Sequence, residues 1–223
     1  MAGRMVNCVA FDVNETLFSL DRLGPAFAGA GLDPAQVPLW FALLLRDGFA
    51  LTAMGGYAPF AELAADALRS LYPAGVDDAA VAGVLAGFRE LDPHPDVLPA
   101  LQALGNAGVP AVTLTNGGVE LVRLLVKRAG LSGHVQRCLS VDAVRRFKPA
   151  PEPYRYAAAQ LGVEAARMAL VAAHPWDCAG ARAAGLRSGW VNRRGQRWPG
   201  VFAPPDVTGS DLPTVVTGLL DLE

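Results

Sequence analysis

Cysteine is scarce in this chain, with three in 223 residues, at positions 8, 138 and 178. An odd number at such wide spacing excludes a disulfide framework. It points instead to free, buried thiols in a reducing, cytoplasmic setting. Cys178 has no partner group in the sequence that would make it a nucleophile. An excess of one charge is lacking too: 19 Lys and Arg stand against 21 Asp and Glu, a net charge of −2. That balance gives no reason to expect nucleic acid or an anionic membrane as partner. No apolar run approaches the roughly 20 residues of a spanning helix; the best candidate, 37–45, falls far short. The first five residues, Met-Ala-Gly-Arg-Met, lack the apolar core of a secretory signal and lead directly into a strand-like run. Internal repeats and low-complexity tracts are missing.

Hydrophobic residues, by contrast, make up 52% of the chain, which predicts a packed globule of one domain plus an insertion. An apolar run at 6–11 reads as the first strand. A region rich in Ala and Leu follows, 20–90, with no strand pattern. Within it, 37–53 reads as a long apolar helix stopped by Gly55-Gly56, and 58–71 and 77–89 as two amphipathic helices. The Pro-rich piece 91–96 is a stiff hinge back to the core, where Asp96 is expected to cap a helix through 107. Strands are then expected at 108–115, 136–141, 168–173, 188–192 and 206–208. Helices are expected after 116–118, at 152–161 and from 177 to 184, with an irregular surface loop at 193–205. This alternation predicts an α/β fold: a doubly wound, Rossmann-like parallel sheet with a helical cap inserted after the first strand. The core would comprise 1–19 and 91–223, and the cap 20–90.

In such sheets chemistry sits at the carboxyl ends of the strands. Those ends carry, in order, Asp12 with Asn14 and Thr16, then Thr115-Asn116, then Lys148 in a following loop, then Asp177. Singly, each has a structural explanation. Asp12 and Asn14 build turns, Thr16, Thr115 and Asp177 cap helices, and Lys148 is a solvated lysine. Jointly they place a nucleophilic carboxylate, hydroxyl and amide donors, a cation and a second carboxylate in one crevice. A cation beside Asp12 would keep it ionised at neutral pH.

In order and context these residues resemble the haloacid dehalogenase superfamily over essentially the whole chain. Its first motif, D-x-D-x-T, corresponds here to Asp12-Val13-Asn14-Glu15-Thr16. In its phosphatases the second Asp protonates the leaving group, and an amide has no proton to give. Their fourth motif tends to carry paired acids for magnesium; here 172–177 offers Asp177 alone, thin for octahedral oxygen ligation. Both departures point to the L-2-haloacid dehalogenase branch, type II, which works without metal or cofactor. That branch has a Trp-Asp pair, matched by Trp176-Asp177. Its tyrosine six residues after the lysine is matched by Tyr154, its Ser/Thr-Asn-Gly by Thr115-Asn116-Gly117, and its cap arginine by Arg46. An arginine on so apolar a helix suggests a cleft and an anion, or a pair with Glu62 or Asp66. Four positions depart from the branch: Asn14 for tyrosine, Glu15 for glycine, Ala172 for serine and His174 for asparagine.

The resemblance implies hydrolytic dehalogenation of a short 2-haloalkanoic acid. Asp12 would form an ester with the substrate, with Lys148 holding it anionic and Tyr154 close by. Helix-start amides with Thr16 and Thr115 would hold the substrate carboxylate, Arg46 and Asn116 would take the halide, and Trp176 would form an apolar wall. Water oriented by Asp177, with His174 either a polar water-holder or a space-filler, would then open the ester. The implied partner is a small carboxylate, and a homodimer through apolar helices is open to the chain. Alternatives from the residues alone are a phosphatase with an unusual first motif, a related hydrolase with a non-halogenated substrate, and a metabolite-binding regulatory domain.

Overall fold

Six strands form one sheet in the computed structural model, which describes residues 5–222. They are β1 (Cys8–Phe11), β2 (Ala111–Thr115), β3 (Val135–Ser140), β4 (Met168–Ala172), β5 (Arg187–Val191) and β6 (Val207–Gly209). Their order is β3-β2-β1-β4-β5-β6, and every neighbouring pair is parallel. The direction of winding reverses between β1 and β4, the switch point where open α/β sheets form a ligand crevice. β1, β2 and β4 are buried along their whole length, whereas the edge strands β3 and β6 are partly exposed. This explains why the central strands read as unbroken apolar runs. The reading of Met1–Arg4 lies outside the described residues.

Alternate residues of β1 face opposite layers. Cys8 and Ala10 join Tyr154, Ala157 and Cys178 of α7 (Pro151–Leu161) and α8 (Pro175–Ala183). Val9 and Phe11 join the apolar faces of α5 (Val97–Asn106), α6 (Val119–Arg128) and α9 (Leu212–Leu220). α9 is an element that the sequence reading left out. Its start is marked by Asp211, whose carboxylate accepts from Thr214 N at 2.8 Å, and Val215, Val216 and Leu219 are buried behind it.

Between β1 and β2 lie α1 (Leu23–Gly29), α2 (Val37–Ala53), α3 (Phe60–Leu71) and α4 (Asp78–Ala86). α2 has the expected bounds. The helix expected over 77–89 ends early in a tighter turn, Gly87–Glu90, where a Cβ on Gly87 would lie 2.8 Å from Ala26 Cβ of α1. α2 meets the core at two places. Gly48 lies against the Phe147 ring, and Phe49 packs edge-on against Trp176 with ring centroids 5.0 Å apart. Thr52 Oγ1 accepts from Phe147 N at 2.9 Å.

Asp96 does not cap α5. Its carboxylate receives Arg193 Nη1 and Nη2 at 2.9 and 3.1 Å and the Leu212 amide at 2.9 Å. A half-buried, forked guanidinium is a stronger partner than an exposed helix amide. The loop at 193–205 is therefore irregular, but its first residues turn inward. The cysteines are free; Cys8 and Cys178 are buried, and burial pushes the Cys8 thiol up to about 12 and Cys178 also upward. Neither is a thiolate at neutral pH. Among the described residues no helix is long and apolar enough to cross a membrane.

Candidate active site

Asp12 follows the last residue of β1 and continues its ladder, donating its amide to Val171 O at 3.0 Å. The chain then turns on itself: Leu17 and Phe18 both donate to Val13 O, and Glu15 sits at φ 61°. The turn brings the buried Thr16 hydroxyl back to Asp12 Oδ2 at 2.8 Å, where it also accepts the Ala173 amide at 2.9 Å. Thr16 thus ties the ends of β1 and β4 together. It caps no helix, since α1 begins only at Leu23.

Lys148 reaches the same carboxylate from the loop before α7 and is fully buried. Its three ammonium protons have three acceptors: Asp12 Oδ1 at 2.8 Å, Asp177 Oδ2 at 2.5 Å and Leu114 O at 2.9 Å. Asp177, in the first turn of α8, has its other oxygen filled by the Tyr154 hydroxyl at 2.7 Å. Each of its oxygens therefore already accepts one hydrogen bond. Gly180 makes the tyrosine's reach possible, because a Cβ there would lie 2.6 Å from Tyr154 Oη and 2.5 Å from Pro149 Cβ. Asn116 Oδ1 accepts the Lys148 amide at 2.9 Å, and Thr115 Oγ1 accepts the Gly117 amide at 2.9 Å. Among the described residues, the amides of Val13 and Asn14 donate to no protein group.

The electrostatics follow from this packing. Burial pushes the Asp12 carboxyl upward, but the charges of Lys148 and His174 outweigh it and hold Asp12 well below the usual carboxylate range. Burial likewise disfavours the Lys148 ammonium, and Asp12 and Asp177 reverse the effect, raising its pKa. For Asp177, burial and then the Asp12 charge prevail over Lys148 and Tyr154, so its pKa is raised. Asp12 is thus a persistent carboxylate, suited to attack at carbon or to hold a cation.

The other side of Asp12 carries His174, expected from the sequence as a water-holder or a space-filler, together with Glu15 and Arg194, which sequence reasoning did not place in the site. His174 directs Nδ1 at Asp12 Oδ2 (3.3 Å) and Nε2 at Glu15 Oε2 (2.9 Å). Burial lowers its pKa, but the hydrogen bonds and charges of the two carboxylates carry it to about 9, so the ring is a cation at neutral pH. Arg194 closes the series on Glu15 Oε1 at 2.5 Å, while Arg193 donates to Thr16 O at 2.7 Å. The ring lies stacked near Trp176 and Phe41, with centroids 5.1 and 6.4 Å away. A cleft of about 450 Å³ opens here, bounded by Glu15, His174 and Arg194 and by apolar α2 residues including Phe41 and Leu45. The signal for this cluster was present: two departures from the family pattern, at 15 and 174, that form one hydrogen-bonded pair.

Two expected site residues stand differently. Asn14 is buried beside Asp12 with its backbone bridged to Phe18. Arg46 is not brought to the nucleophile. Its side chain is 65% exposed and pairs with neither Glu62 nor Asp66, but with Asp47 at 2.8 Å. Among the described residues no group of three or more His, Cys, Asp or Glu side chains is arranged to hold a metal ion.

The chain and its fold have counterparts among known proteins. A family model described as haloacid dehalogenase-like hydrolase matches residues 6–185. The chain is 28% identical to haloacetate dehalogenase H-2 of Moraxella sp. (strain B), covering 96% of this chain and 97% of that one. It is 31% identical to the (S)-2-haloacid dehalogenase of Pseudomonas sp. (strain YL), covering 93% and 92%. The structure of L-2-haloacid dehalogenase from Xanthobacter autotrophicus superposes with a TM-score of 0.89 at 26% identity, covering 98% of this chain and all of that one. The same enzyme with chloropropionic acid covalently bound gives 0.88 at 25% identity, again covering 98% of this chain and all of that one. With its parallel sheet and its Asp12–Lys148–Asp177 cluster at the switch point, the chain belongs to the haloacid dehalogenase-like hydrolases.

Proposed function

We propose that the protein hydrolyses the carbon–halogen bond of short (S)-2-haloalkanoic acids through an ester on Asp12, giving a 2-hydroxy acid and halide. One observation carries this reading: Asp12 is held ionised by the buried Lys148 while position 14 offers an amide instead of an acid. A phosphate or alkoxide leaving group needs a proton that Asn14 cannot supply, whereas a halide leaves without one. The relatives named above are haloacetate and (S)-2-haloacid dehalogenases, and one similar structure bears chloropropionic acid covalently bound. Carried to this chain, that bond falls on Asp12.

In this reading residues 20–90 form a cap over the core. Asp12 attacks the halogen-bearing carbon, and halide leaves toward the Asn116 amide. The open amides of Val13 and Asn14 hold the substrate carboxylate. Trp176 and the apolar α2 residues exclude water around the alkyl group. Asp177 and Tyr154 fix Lys148, which stabilises the charge that develops as the ester opens. Arg46 would have to exchange its Asp47 pair for the anion to take part. In this reading no metal takes part, because the Lys148 ammonium already stands between the Asp12 and Asp177 carboxylates. Free cysteines fit a cytoplasmic enzyme, and a homodimer would use exposed apolar positions such as Leu39 on α2.

The test is a turnover of L-2-chloropropionate in oxygen-18 water followed by mass spectrometry. Label entering the Asp12 carboxylate is expected, with chloride release. Asp12→Asn is expected to abolish release in freshly prepared protein. Full activity in that variant, or magnesium-dependent phosphate release from small phosphate esters in place of chloride release, would overturn the assignment.

A further inference from the structure

We propose that His174, positioned by Glu15, is the general base of the second half-reaction: it takes a proton from the water that attacks the Asp12 ester. This rests on the dehalogenase reading and adds a residue pair to it.

Three observations lead here. First, the Lys148 side of Asp12 is closed to solvent: Asp177 and Lys148 are fully buried, and the two Asp177 oxygens accept from Lys148 and Tyr154. A water approaching from that side would not reach the remaining lone pairs of Asp177. Second, the cleft opens on the opposite side, and the polar group between it and Asp12 is the His174 ring, held at both nitrogens. Third, Glu15 occupies a left-handed backbone conformation, φ 61°, that favours glycine and costs other residues about 1 kcal/mol. It is kept there by His94, whose Nε2 meets Glu15 O at 3.2 Å, while its carboxylate joins His174 to Arg194. A strained residue whose side chain ends on a ring facing the nucleophile is a functional arrangement.

The proton balance is consistent with this role. In the free enzyme the ring is a cation between two carboxylates, its pKa raised to about 9. Alkylation converts Asp12 into a neutral ester and removes one of those charges, so the ring can release its proton to solvent. Neutral His174 then takes a proton from water as the water oxygen bonds to Asp12 Cγ. The tetrahedral adduct expels the substrate oxygen, which receives that proton as the Cγ–O bond breaks, releasing the 2-hydroxy acid. The new Asp12 carboxyl ionises and reprotonates His174. The sum is one haloacid and one water giving hydroxy acid, halide and one proton. The groups facing the ring are Asp12 and Glu15, with Arg194 beyond Glu15; Phe41 and Trp176 flank it without charge.

Rapid-quench kinetics with L-2-chloropropionate separate the two half-reactions. In His174→Gln the ester is expected to form with about one chloride per enzyme. Its hydrolysis is expected to slow about 10²-fold or more, leaving an adduct visible by intact-protein mass spectrometry. Glu15→Gly suits the φ and preserves the fold. In it the pH at which ester hydrolysis reaches its plateau is expected to move down, because the ring loses the carboxylate that held its proton. Ester hydrolysis in His174→Gln within threefold of the unaltered enzyme would overturn the inference. So would an unchanged pH profile in Glu15→Gly. If the unaltered enzyme forms neither ester nor chloride, the dehalogenase reading falls and this inference with it. Chloride release by the unaltered enzyme distinguishes the two failures.

Discussion

The two oxygens of Asp12 face two different environments. On the Oδ1 side, Lys148, Asp177 and Tyr154 are buried, every ammonium proton has an acceptor and each oxygen of the second carboxylate accepts a hydrogen bond. On the Oδ2 side, beyond Thr16, His174 and Glu15 are 15% and 21% exposed and border a cleft, and the series ends on an exposed arginine. The first side is a fixed ion cluster in which one cation balances two carboxylates. The second is a hydrogen-bonded series whose charge, under the proposed mechanism, changes when Asp12 is alkylated. A buried cluster of this kind constrains geometry, because removing any member strands a charge; a solvent-bordered pair can gain and lose a proton during turnover.

The contrast is broken or sharpened most strongly at Lys148. Lys148→Met leaves Asp12 and Asp177 as uncompensated buried carboxylates. We expect a stability loss of about 3–5 kcal/mol in urea unfolding, with chloride release down by about 10³-fold or more. A loss below about 1 kcal/mol would mean that the Oδ1 side is not the fixed half.

The next effect is on pH. His174 has a folded pKa of about 9, above its ordinary value near 6.5. Its contribution is therefore fully present below about 6.5 and is lost as pH rises through about 9, by up to about 3 kcal/mol. Urea titrations across that window should show the decline, and His174→Asn should flatten it. Asp12 acts in the opposite sense, since its depressed pKa removes stability as pH falls into the acid range. An unflattened slope in His174→Asn would assign the loss to other groups.

Gly180→Ala probes the support of the fixed side. The added Cβ, 2.6 Å from Tyr154 Oη and 2.5 Å from Pro149 Cβ, is expected to cost about 1–3 kcal/mol and to displace the tyrosine from Asp177. Differential scanning calorimetry and chloride release would register both; an unchanged melting temperature would show that the contact yields freely. The smallest effect is expected at Arg46. Its exposed pair with Asp47 contributes little, so Arg46→Ala should change stability by less than about 0.5 kcal/mol and KM by less than about threefold. A KM rise above about tenfold would show that the arginine exchanges partners and reaches the anion.

What was legible in the sequence follows the same division. The central strands were legible because burial on both faces leaves continuous apolar runs, and α2 because its Gly-Gly stop is local. Asp12, Thr16, Lys148 and Asp177 were legible because they follow successive strand-like runs, and Tyr154 through the family resemblance alone. The Glu15–His174–Arg194 series was not, because it depends on side chains 159 and 179 residues apart meeting across the crevice. Composition shows a loop at 193–205 but not that Arg193 turns inward to Asp96 while the exposed Arg194 reaches Glu15. Asp96 looked like a helix cap because capping is a local rule, and a distant guanidinium overrode it. The exposure of Arg46 was equally hidden: its helix is apolar enough to suggest burial, yet Asp47 beside it offers a partner without any.

The placement of β1 at the centre of the sheet has a consequence for how the protein is made. Asp12 precedes the lysine that pairs with it by 136 residues. β1 pairs with β2 on one side, but on the other it waits for β4, which begins at Met168. Until β4 is made the central strand therefore has a bare edge, and until Lys148 is made Asp12 is without its counter-ion. Long-range pairings of this kind slow folding and expose edges to association. The centre of the sheet thus closes late and around a buried carboxylate.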